Sequence, residues 1–310
     1  MDRARKASAS PPAPGGVVIT HPEKVLFPED GITKGDLAAY YEAIAPLMLP
    51  HISGRPVTME RYPAGIGRKG FWQKDVSKGF PAWLKRVEVP KKDGVVHHPL
   101  VTDLPSLLWI TNQNTITPHV WTSRMPDLGR PDVGVFDLDP SKDEPEMLRA
   151  AAVALRELLE ELGLPCWIKT SGSKGFHILT SLDGTTAMNE AAGFAHGVAR
   201  LLVKRYPQQL TLEFHKRDRA GRILVDTGRN DYSATFAAAY AVRPRRGAPV
   251  SAPCTWEEVI TGAVAPDTFT LRNMPARIAK AGDVWADLKK RRRSLKGPVE
   301  KLRRLIDDDA

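Results

Sequence analysis

The sequence predicts an α+β fold, in which helices and strands are mixed without the regular alternation of a doubly wound parallel sheet. Short apolar runs typical of strands occur along most of the chain, and helical periodicity is restricted to a few longer segments. Several strands are also close enough in sequence to be joined as hairpins. These three observations favour α+β over an α/β architecture.

The first half is expected to contain one long helix and several strands, with order beginning near Val17. Thr33, with Asp36 three residues later, is typical of a capping box and predicts a helix that extends to Leu49. The strands predicted here are residues 55–62 and the two arms of a hairpin over 87–96, which turns at 91–94.

The second half is expected to contain two helices and most of the strands. Residues 144–162 have apolar positions at helical spacing, and Gly163 is a stop signal at their end. A second helix is predicted over 188–206 and ends before Pro207. The strands predicted in this half are 134–139, 166–170, 176–181, 210–214, 222–226 and 237–242.

Composition restricts the class of protein. The 310 residues carry a net charge of +9, which suggests a polyanionic partner such as nucleic acid, although a basic soluble protein is the simpler alternative. Two cysteines are too few for a disulfide framework, so a reducing cytoplasmic compartment fits. No apolar run approaches the roughly 20 residues that span a bilayer, so no membrane role is expected.

Two carboxylates at alternate positions of an apolar run point to a metal site. Asp137 and Asp139 would project from the same face of a strand, and their mutual repulsion would be relieved by a divalent cation such as magnesium or manganese. Asp226, at the end of another apolar run, is the best third ligand, and Glu213 is a weaker rival. The alternative is that these are solvent-facing aspartates at strand ends.

A small-residue turn follows the next predicted strand and would suit a phosphate group. Residues 171–175 let backbone N–H groups approach an anion, and Lys174 adds a positive charge. His177 begins the following strand, and Arg243 lies at the end of a later one. Each has an ordinary alternative: a simple turn, a structural histidine and a surface ion pair.

Taken together, these motifs resemble the polymerase domain of bacterial ligase D, in the archaeo-eukaryotic primase superfamily. The segments that carry the resemblance are 137–139, 171–177, 226–230, 241–243 and 247–249, and the similarity extends from about Thr20 to Asp283. The resemblance implies a primase-polymerase fold with an RRM-like catalytic sheet and a packed N-terminal subdomain. It also implies a template-directed, gap-filling polymerase of bacterial end joining that favours ribonucleotides and uses two manganese or magnesium ions.

The resemblance assigns roles to individual residues. Asp137, Asp139 and Asp226 would be the catalytic metal ligands. The residues that would bind the incoming nucleotide are Ser171, Lys174, His177, Arg243 and His119. The residues that would contact DNA are Lys24 and Lys34 at a downstream 5′-phosphate, Phe71 and Trp72 at the template, and Arg219 in a loop that positions the primer. Three positions depart from the family pattern: His21 replaces asparagine, Thr117 replaces an acidic residue, and Thr227 follows Asp226 in place of an aromatic residue.

The predicted organisation has four parts: a flexible tail over 1–16, an N-terminal part over 17–130, a catalytic core over 131–283 and a basic C-terminal tail over 284–310. The last part contains five consecutive basic residues at 289–293, which suit either a DNA-contacting arm or a solvated, partly helical end. Besides DNA and nucleotides, the implied partners are Ku and a separate DNA ligase. Two alternative functions are a non-catalytic scaffold that holds DNA ends for a ligase and a metal-dependent nuclease.

Overall fold

The computed structural model describes residues 16–76 and 79–308, so nearly all of the predicted flexible tail lies outside the described residues. The helices are α1 (Lys34–Ile52), α2 (Leu104–Asn112), α3 (Pro145–Glu161), α4 (Met188–Arg205), α5 (Trp256–Ile260), α6 (Met274–Ala281) and α7 (Lys296–Asp308). The first nine strands are β1 (Val25–Phe27), β2 (Ile32–Thr33), β3 (Val57–Arg61), β4 (Phe71–Gln73), β5 (Arg86–Lys91), β6 (Gly94–Pro99), β7 (Thr115–Val120), β8 (Ser123–Arg124) and β9 (Asp127–Pro131). The remaining strands are β10 (Val133–Pro140), β11 (Cys166–Thr170), β12 (Phe176–Ser181), β13 (Leu210–Thr211), β14 (Ile223–Asp226), β15 (Phe236–Ala237) and β16 (Pro253–Cys254).

The second half of the chain contains a six-stranded sheet. Its strands lie in the order β13-β14-β10-β12-β11-β16. Its pairs are antiparallel except for β13 with β14. In chain order, β10, α3, β11, β12, α4 and β14 make a β-α-β-β-α-β unit, and their strands lie in the order β14-β10-β12-β11. This confirms the α+β class and agrees with an RRM-like sheet.

The two faces of this sheet have different neighbours. Helices α3 and α4 pack against β10, and α3 also packs against β11 and β12. On the other face, Phe236 of β15 lies beside His177 and Lys169, so the smaller sheet approaches there. Because side chains alternate along β10, Phe136 and Leu138 point away from the face that carries Asp137.

A four-stranded sheet, in the order β15-β7-β3-β4, and the helices α1 and α2 form most of the first half. The capping box of α1 is present, with the Thr33 side chain accepting a bond from the Asp36 N–H. The predicted hairpin is also present, because Lys91 of β5 pairs with Gly94 of β6 across a two-residue turn. The domain boundary predicted near residue 130 stays a prediction. Strand β15, from the second half of the chain, joins the sheet of the first half by pairing with β7.

Two predicted strands are shorter than expected. The strand over 210–214 ends at Thr211, whose hydroxyl accepts a bond from the Glu213 N–H and turns the chain. The strand over 237–242 is wrong beyond Ala237, because the chain bends at Tyr240, where φ is 68°. This apolar run is nevertheless buried, and the Tyr240 N–H donates to the Ser251 carbonyl. An apolar run predicts burial, but a buried run need not be a strand, and this is why the strand was predicted too long.

The segment after residue 284 is folded onto the larger sheet. Trp285 is buried and donates its indole N–H to the Ile168 carbonyl of β11. The Arg293 N–H donates to Ser181 at the end of β12, and α7 packs on α4 through the buried Leu302. The basic side chains over 289–293 are exposed on this ordered backbone. No helix among the described residues is long and apolar enough to cross a membrane.

Candidate active site

One row of side chains crosses the six-stranded sheet. Asp226 on β14 lies opposite Asp137 on β10, and Asp137 lies opposite His177 on β12. Lys169 on β11 lies opposite His177 in turn. Residues directly opposite each other on antiparallel strands share a face, so the strand register sets the order Asp226, Asp137, His177, Lys169. Asp139, two residues after Asp137, points to the same face.

The carboxyl group of Asp137 is at the centre of this row. Burial raises the pKa of Asp137 to about 6. The positive charge of Arg229 opposes the rise, and the negative charges of Asp226 and Asp139 add to it. Burial therefore disfavours the ionised form of the Asp137 carboxyl group more than Arg229 favours it.

Two arginines occupy the neighbourhood of the carboxylates. Arg219 donates to the Asp139 side chain at 2.9 Å and to the carbonyl oxygens of the adjoining loop, and its own side chain is buried. Arg229 lies 3.4 Å from an Asp226 oxygen and 3.9 Å from an Asp137 oxygen. Arg219 was expected to contact the primer, but in this conformation its guanidinium group faces Asp139.

The three aspartates suit a hard divalent cation in donor type, since carboxylate oxygens are the ligands that magnesium and manganese prefer. The raised pKa of Asp137 supports this, because a bound cation would favour the ionised carboxylate. Within residues 16–76 and 79–308, however, no three such side chains converge as a ready ligand set. Instead, Arg219 is hydrogen-bonded to Asp139, and Arg229 forms longer ion pairs with Asp226 and Asp137.

The turn between β11 and β12 is tightly built. The Ser171 hydroxyl accepts bonds from the N–H groups of Ser173 and Gly175, each at 3.1 Å. A side chain at Gly175 would place its Cβ 1.7 Å from the carbonyl oxygen of Leu138, so only glycine allows the turn to lie against β10. This close approach brings the turn to the end of the strand that carries Asp139.

A cleft of about 410 Å³ joins the carboxylates to a set of cationic and neutral donors. The predicted site residues that line it are Asp137, Asp139, Asp226, Ser171, Lys174, His177, Arg219 and Arg243. The Arg243 Nε is buried and lacks a hydrogen-bond partner among the described residues. Burial also holds the pKa of His177 well below its usual range, with the charges of Lys169 and Arg243 acting in the same direction, so its imidazole is neutral. Glu213, the rival carboxylate, is exposed and lies outside this lining.

His119 lies on β7 in the other sheet, outside the lining of the cleft. Its Nε2 is 3.1 Å from an oxygen of Glu60, and the Trp72 ring lies edge-on at 4.5 Å. Burial lowers the pKa of His119 to about 4, and the nearby charge of Arg243 contributes. Arg243 lines the cleft, and its charge also acts on His119. Trp72 and Phe71 are 56% and 45% exposed, so they are surface aromatics and not core residues.

The two predicted phosphate-contacting lysines lie near each other, and neither lines the cleft. The Lys34 N–H donates to the Lys24 carbonyl, which joins the start of α1 to β1. The Lys34 side chain is buried, and its Nζ donates to the Thr20 carbonyl at 2.7 Å. Burial, followed by the charge of Lys24, lowers the pKa of Lys34 to about 8. Lys24 is partly exposed.

Three residues of the site were missed by sequence reasoning. Lys169 lies in an apolar run that only predicts a strand, although a charged residue within such a run is itself a signal. Arg229 follows Asp226 by three residues, and this spacing could have suggested their contact. Glu60 provides the acidic partner of His119 from the neighbouring strand, although Thr117 itself is not acidic. Only the strand register shows this pairing.

Comparison with known proteins identifies the family. Residues 33–285 match the LigD primase-polymerase domain. The chain belongs to this family. The match covers both sheets and each of the three aspartates, and the resemblance expected from the motifs is confirmed.

Individual relatives agree with the family. LigD of Mycobacterium tuberculosis, a multifunctional non-homologous end joining DNA repair protein, is 36% identical over 277 residues, which are 86% of this chain and 36% of that protein. LigD of Pseudomonas aeruginosa is 36% identical over 294 residues, which are 92% of this chain and 34% of that protein. The chain therefore spans about a third of the length of these relatives.

A solved structure has the same fold. The polymerase domain of Mycobacterium tuberculosis Ligase D, in complex with DNA, superposes with a TM-score of 0.84 at 35% identity. The superposition covers 89% of this chain and 99% of that one. The primase-polymerase fold predicted from the motifs is therefore confirmed.

Proposed function

We propose that this LigD primase-polymerase domain is a metal-dependent nucleotidyltransferase. In this proposal it extends a DNA primer by copying a template, and it fills gaps during break repair by non-homologous end joining. Family membership supports the reaction class, and the composition of the cleft supports the substrate. The names of the relatives, which include end joining and DNA repair, support the pathway.

The observation that carries the proposal is the division of charge within one cleft. Three carboxylates lie on β10 and β14, and the same cleft is lined by Lys174, His177 and Arg243, whose Nε has no hydrogen-bond partner within the described part of the chain. A triphosphate needs cationic donors beside a cation site, and this cleft has both kinds of group. A scaffold that only bound DNA would gain nothing from carboxylates facing a polyanion.

Asp137, Asp139 and Asp226 would hold two manganese or magnesium ions. Bound there, the ions would activate the primer 3′-hydroxyl and stabilise the charge that develops on the pyrophosphate leaving group. The protein side chains would bind and orient the nucleotide. Lys174 and Arg243 would pair with phosphate oxygens, Ser171 would keep the turn in shape, and the neutral His177 would donate one hydrogen bond.

The DNA would occupy surfaces on either side of the cleft. The exposed rings of Phe71 and Trp72 suit stacking on a template base. Lys24 and Lys34 would bind the 5′-phosphate of the downstream strand. His119 would support the nucleotide site through Arg243, and Arg219 would contact the primer once it has left Asp139. A preference for ribonucleotides, assembly with Ku and a DNA ligase, and a cytoplasmic location at the nucleoid complete the proposal.

Primer extension on a one-nucleotide gap tests the reaction. The substrate carries a downstream 5′-phosphate, and each complementary rNTP or dNTP is supplied with manganese or with magnesium. We expect templated addition by the wild-type chain and none by Asp137→Ala/Asp139→Ala. The matched control is Glu213→Ala, an exposed carboxylate outside the cleft lining, which should retain activity.

The outcomes separate the candidate functions. Templated addition that needs the aspartates supports the polymerase, and the ratio of rNTP to dNTP use gives the sugar preference. Retained DNA binding with no addition by the wild type would favour the scaffold instead. If the primer becomes shorter when no nucleotide is supplied, a nuclease would be favoured.

A further inference from the structure

A lysine is completely buried behind the proposed nucleotide site. Lys169, the penultimate residue of β11, is 0% exposed. Lysine is seldom fully buried unless it is paired, because removing an ammonium group from water is costly. No ion pair found among the described residues involves Lys169. Its location therefore needs a different explanation from a structural salt bridge.

Three groups surround its Nζ atom. The Nζ lies 2.8 Å from His177 Nδ1 and within hydrogen-bond distance of the Ser251 hydroxyl. The ring of Phe236 provides a third contact, with its centroid at 5.8 Å. The amine therefore makes its polar contacts with one imidazole and one hydroxyl.

The direction of these hydrogen bonds follows from their partners. The Ser251 hydroxyl donates its proton to the Thr170 carbonyl at 2.9 Å, so it accepts from Lys169. On the other side of the imidazole, His177 Nε2 is 3.5 Å from an oxygen of Asp137. A lysine ammonium has three donors and no acceptor, so at 2.8 Å Nδ1 accepts from a Lys169 N–H. The ring hydrogen is then on Nε2, on the side of Asp137.

We propose that Lys169 is a positioning residue that fixes His177 as the Nε2–H tautomer, with this N–H directed into the cleft. The chain of bonds from Thr170 through Ser251 and Lys169 holds the imidazole from behind. It leaves Nε2–H as a donor toward the carboxylate end of the cleft. The assignment of a nucleotide phosphate as the final acceptor rests on the proposed function, whereas the tautomer does not.

The tautomer can be measured without any catalytic activity. Nitrogen-15 labelling of histidine and long-range proton–nitrogen correlation spectra distinguish Nε2–H from Nδ1–H imidazoles, and His177→Asn assigns the signal by its disappearance. We expect the Nε2–H pattern in the wild type. Lys169→Met, which has similar length and no donor, should give a mixture of tautomers. An unchanged His177 spectrum in Lys169→Met would overturn the proposal.

Steady-state nucleotide addition provides the second measurement. Lys169→Met should raise KM for the complementary nucleotide by about tenfold, as expected for one lost hydrogen bond, with a smaller change in kcat. In a His177→Asn background the same substitution should leave KM unchanged, because Lys169 acts through that imidazole. An equal increase in both backgrounds would show a general effect on the fold and would contradict the proposal.

A milder variant covers the case in which Lys169→Met does not fold. Ser251→Ala keeps the lysine and removes one of its anchors, so it should produce the same spectral change to a smaller extent. Thermal unfolding reports whether each variant is folded. If the wild type adds no nucleotide, the proposed function fails, yet the spectra still decide whether Lys169 sets the tautomer of His177.

Discussion

The cleft and the amino-terminal lysine site, formed by Lys24 and Lys34, organise their charges in different ways. In the cleft, strand register brings Asp137, Asp226 and His177 into one row across three neighbouring strands. At the lysine site, a turn and a helix start bring two lysines together, and one of them already bonds the backbone of Thr20. The first site depends on long-range pairing, and the second depends mainly on local structure.

This difference has a consequence for electrostatics. Burial raises the pKa of Asp137 to about 6 in the cleft and lowers the pKa of Lys34 to about 8 at the lysine site, so in each case it disfavours the charged form. A bound ion of opposite charge would reverse both shifts. Each site is therefore suited to a ligand of opposite charge: a cation at the aspartates and a phosphate at the lysines.

The largest expected effect is on catalysis in the cleft. Asp139→Asn keeps the shape of the side chain and removes its charge, so it should lower the rate of nucleotide addition by at least about a hundredfold. DNA affinity at fixed salt should stay equal or increase, because a negative charge near the DNA is lost. Single-turnover extension and fluorescence anisotropy measure the two quantities. Substantial synthesis by Asp139→Asn would refute its assignment as a metal ligand.

A second large effect concerns stability. The folded-state pKa of Asp137, about 6, lies above its ordinary value of 3.8, so the folded protein binds this proton more tightly than the unfolded chain does. The folded state therefore loses stability as the pH rises from about 4 to about 6, and the full penalty is present above 6. Asp137→Asn removes this penalty and should raise the free energy of unfolding at pH 7.5 by at most about 3 kcal/mol.

Denaturant unfolding at two pH values checks this prediction. At pH 4 the carboxyl group of the wild type is protonated in the folded state, so the advantage of Asp137→Asn should nearly vanish. Glu213→Ala, an exposed carboxylate, serves as the matched control and should show no such pH dependence. A destabilised Asp137→Asn at pH 7.5 would mean that the contact with Arg229 outweighs burial of the charge.

The two regions also differ in how much could be predicted from sequence. Local rules were sufficient for the capping box at Thr33 and for the shared face of Asp137 and Asp139, because both depend on residues two or three positions apart. Asp226 was found as the end of an apolar run. Its location opposite Asp137 is set by the pairing of β10 with β14, which sequence periodicity does not contain.

Long-range pairing also explains what was missed. Lys169 follows the same strand pattern whether it faces solvent or His177, and only the neighbouring strands decide between these environments. Residues 237–242 are apolar and buried, yet the bend at Tyr240 makes them a connection and not a strand. Burial of residues 237–242 could be predicted from their composition, but their backbone direction could not. For Lys169, neither burial nor the strand partner could be predicted.

A smaller effect is expected at the amino-terminal lysine site, where the two lysines should differ. Lys24→Ala should weaken binding to a gap with a downstream 5′-phosphate by about tenfold and should leave binding to a 5′-hydroxyl gap unchanged, as for one charge-assisted hydrogen bond. Lys34→Ala should show the same selectivity and should also lower the free energy of unfolding, because Lys34 Nζ holds the Thr20 carbonyl.

Comparison of the two variants tests whether Lys34 has both roles. Lys301→Ala, an exposed lysine of α7, is the control for general loss of positive charge and should affect both gaps equally and slightly. If Lys34→Ala loses stability but keeps its preference for the 5′-phosphate, its side chain serves the fold alone and Lys24 binds the phosphate. If both variants weaken the two gaps equally, the lysines are general DNA contacts, and phosphate selectivity must come from another part of the chain.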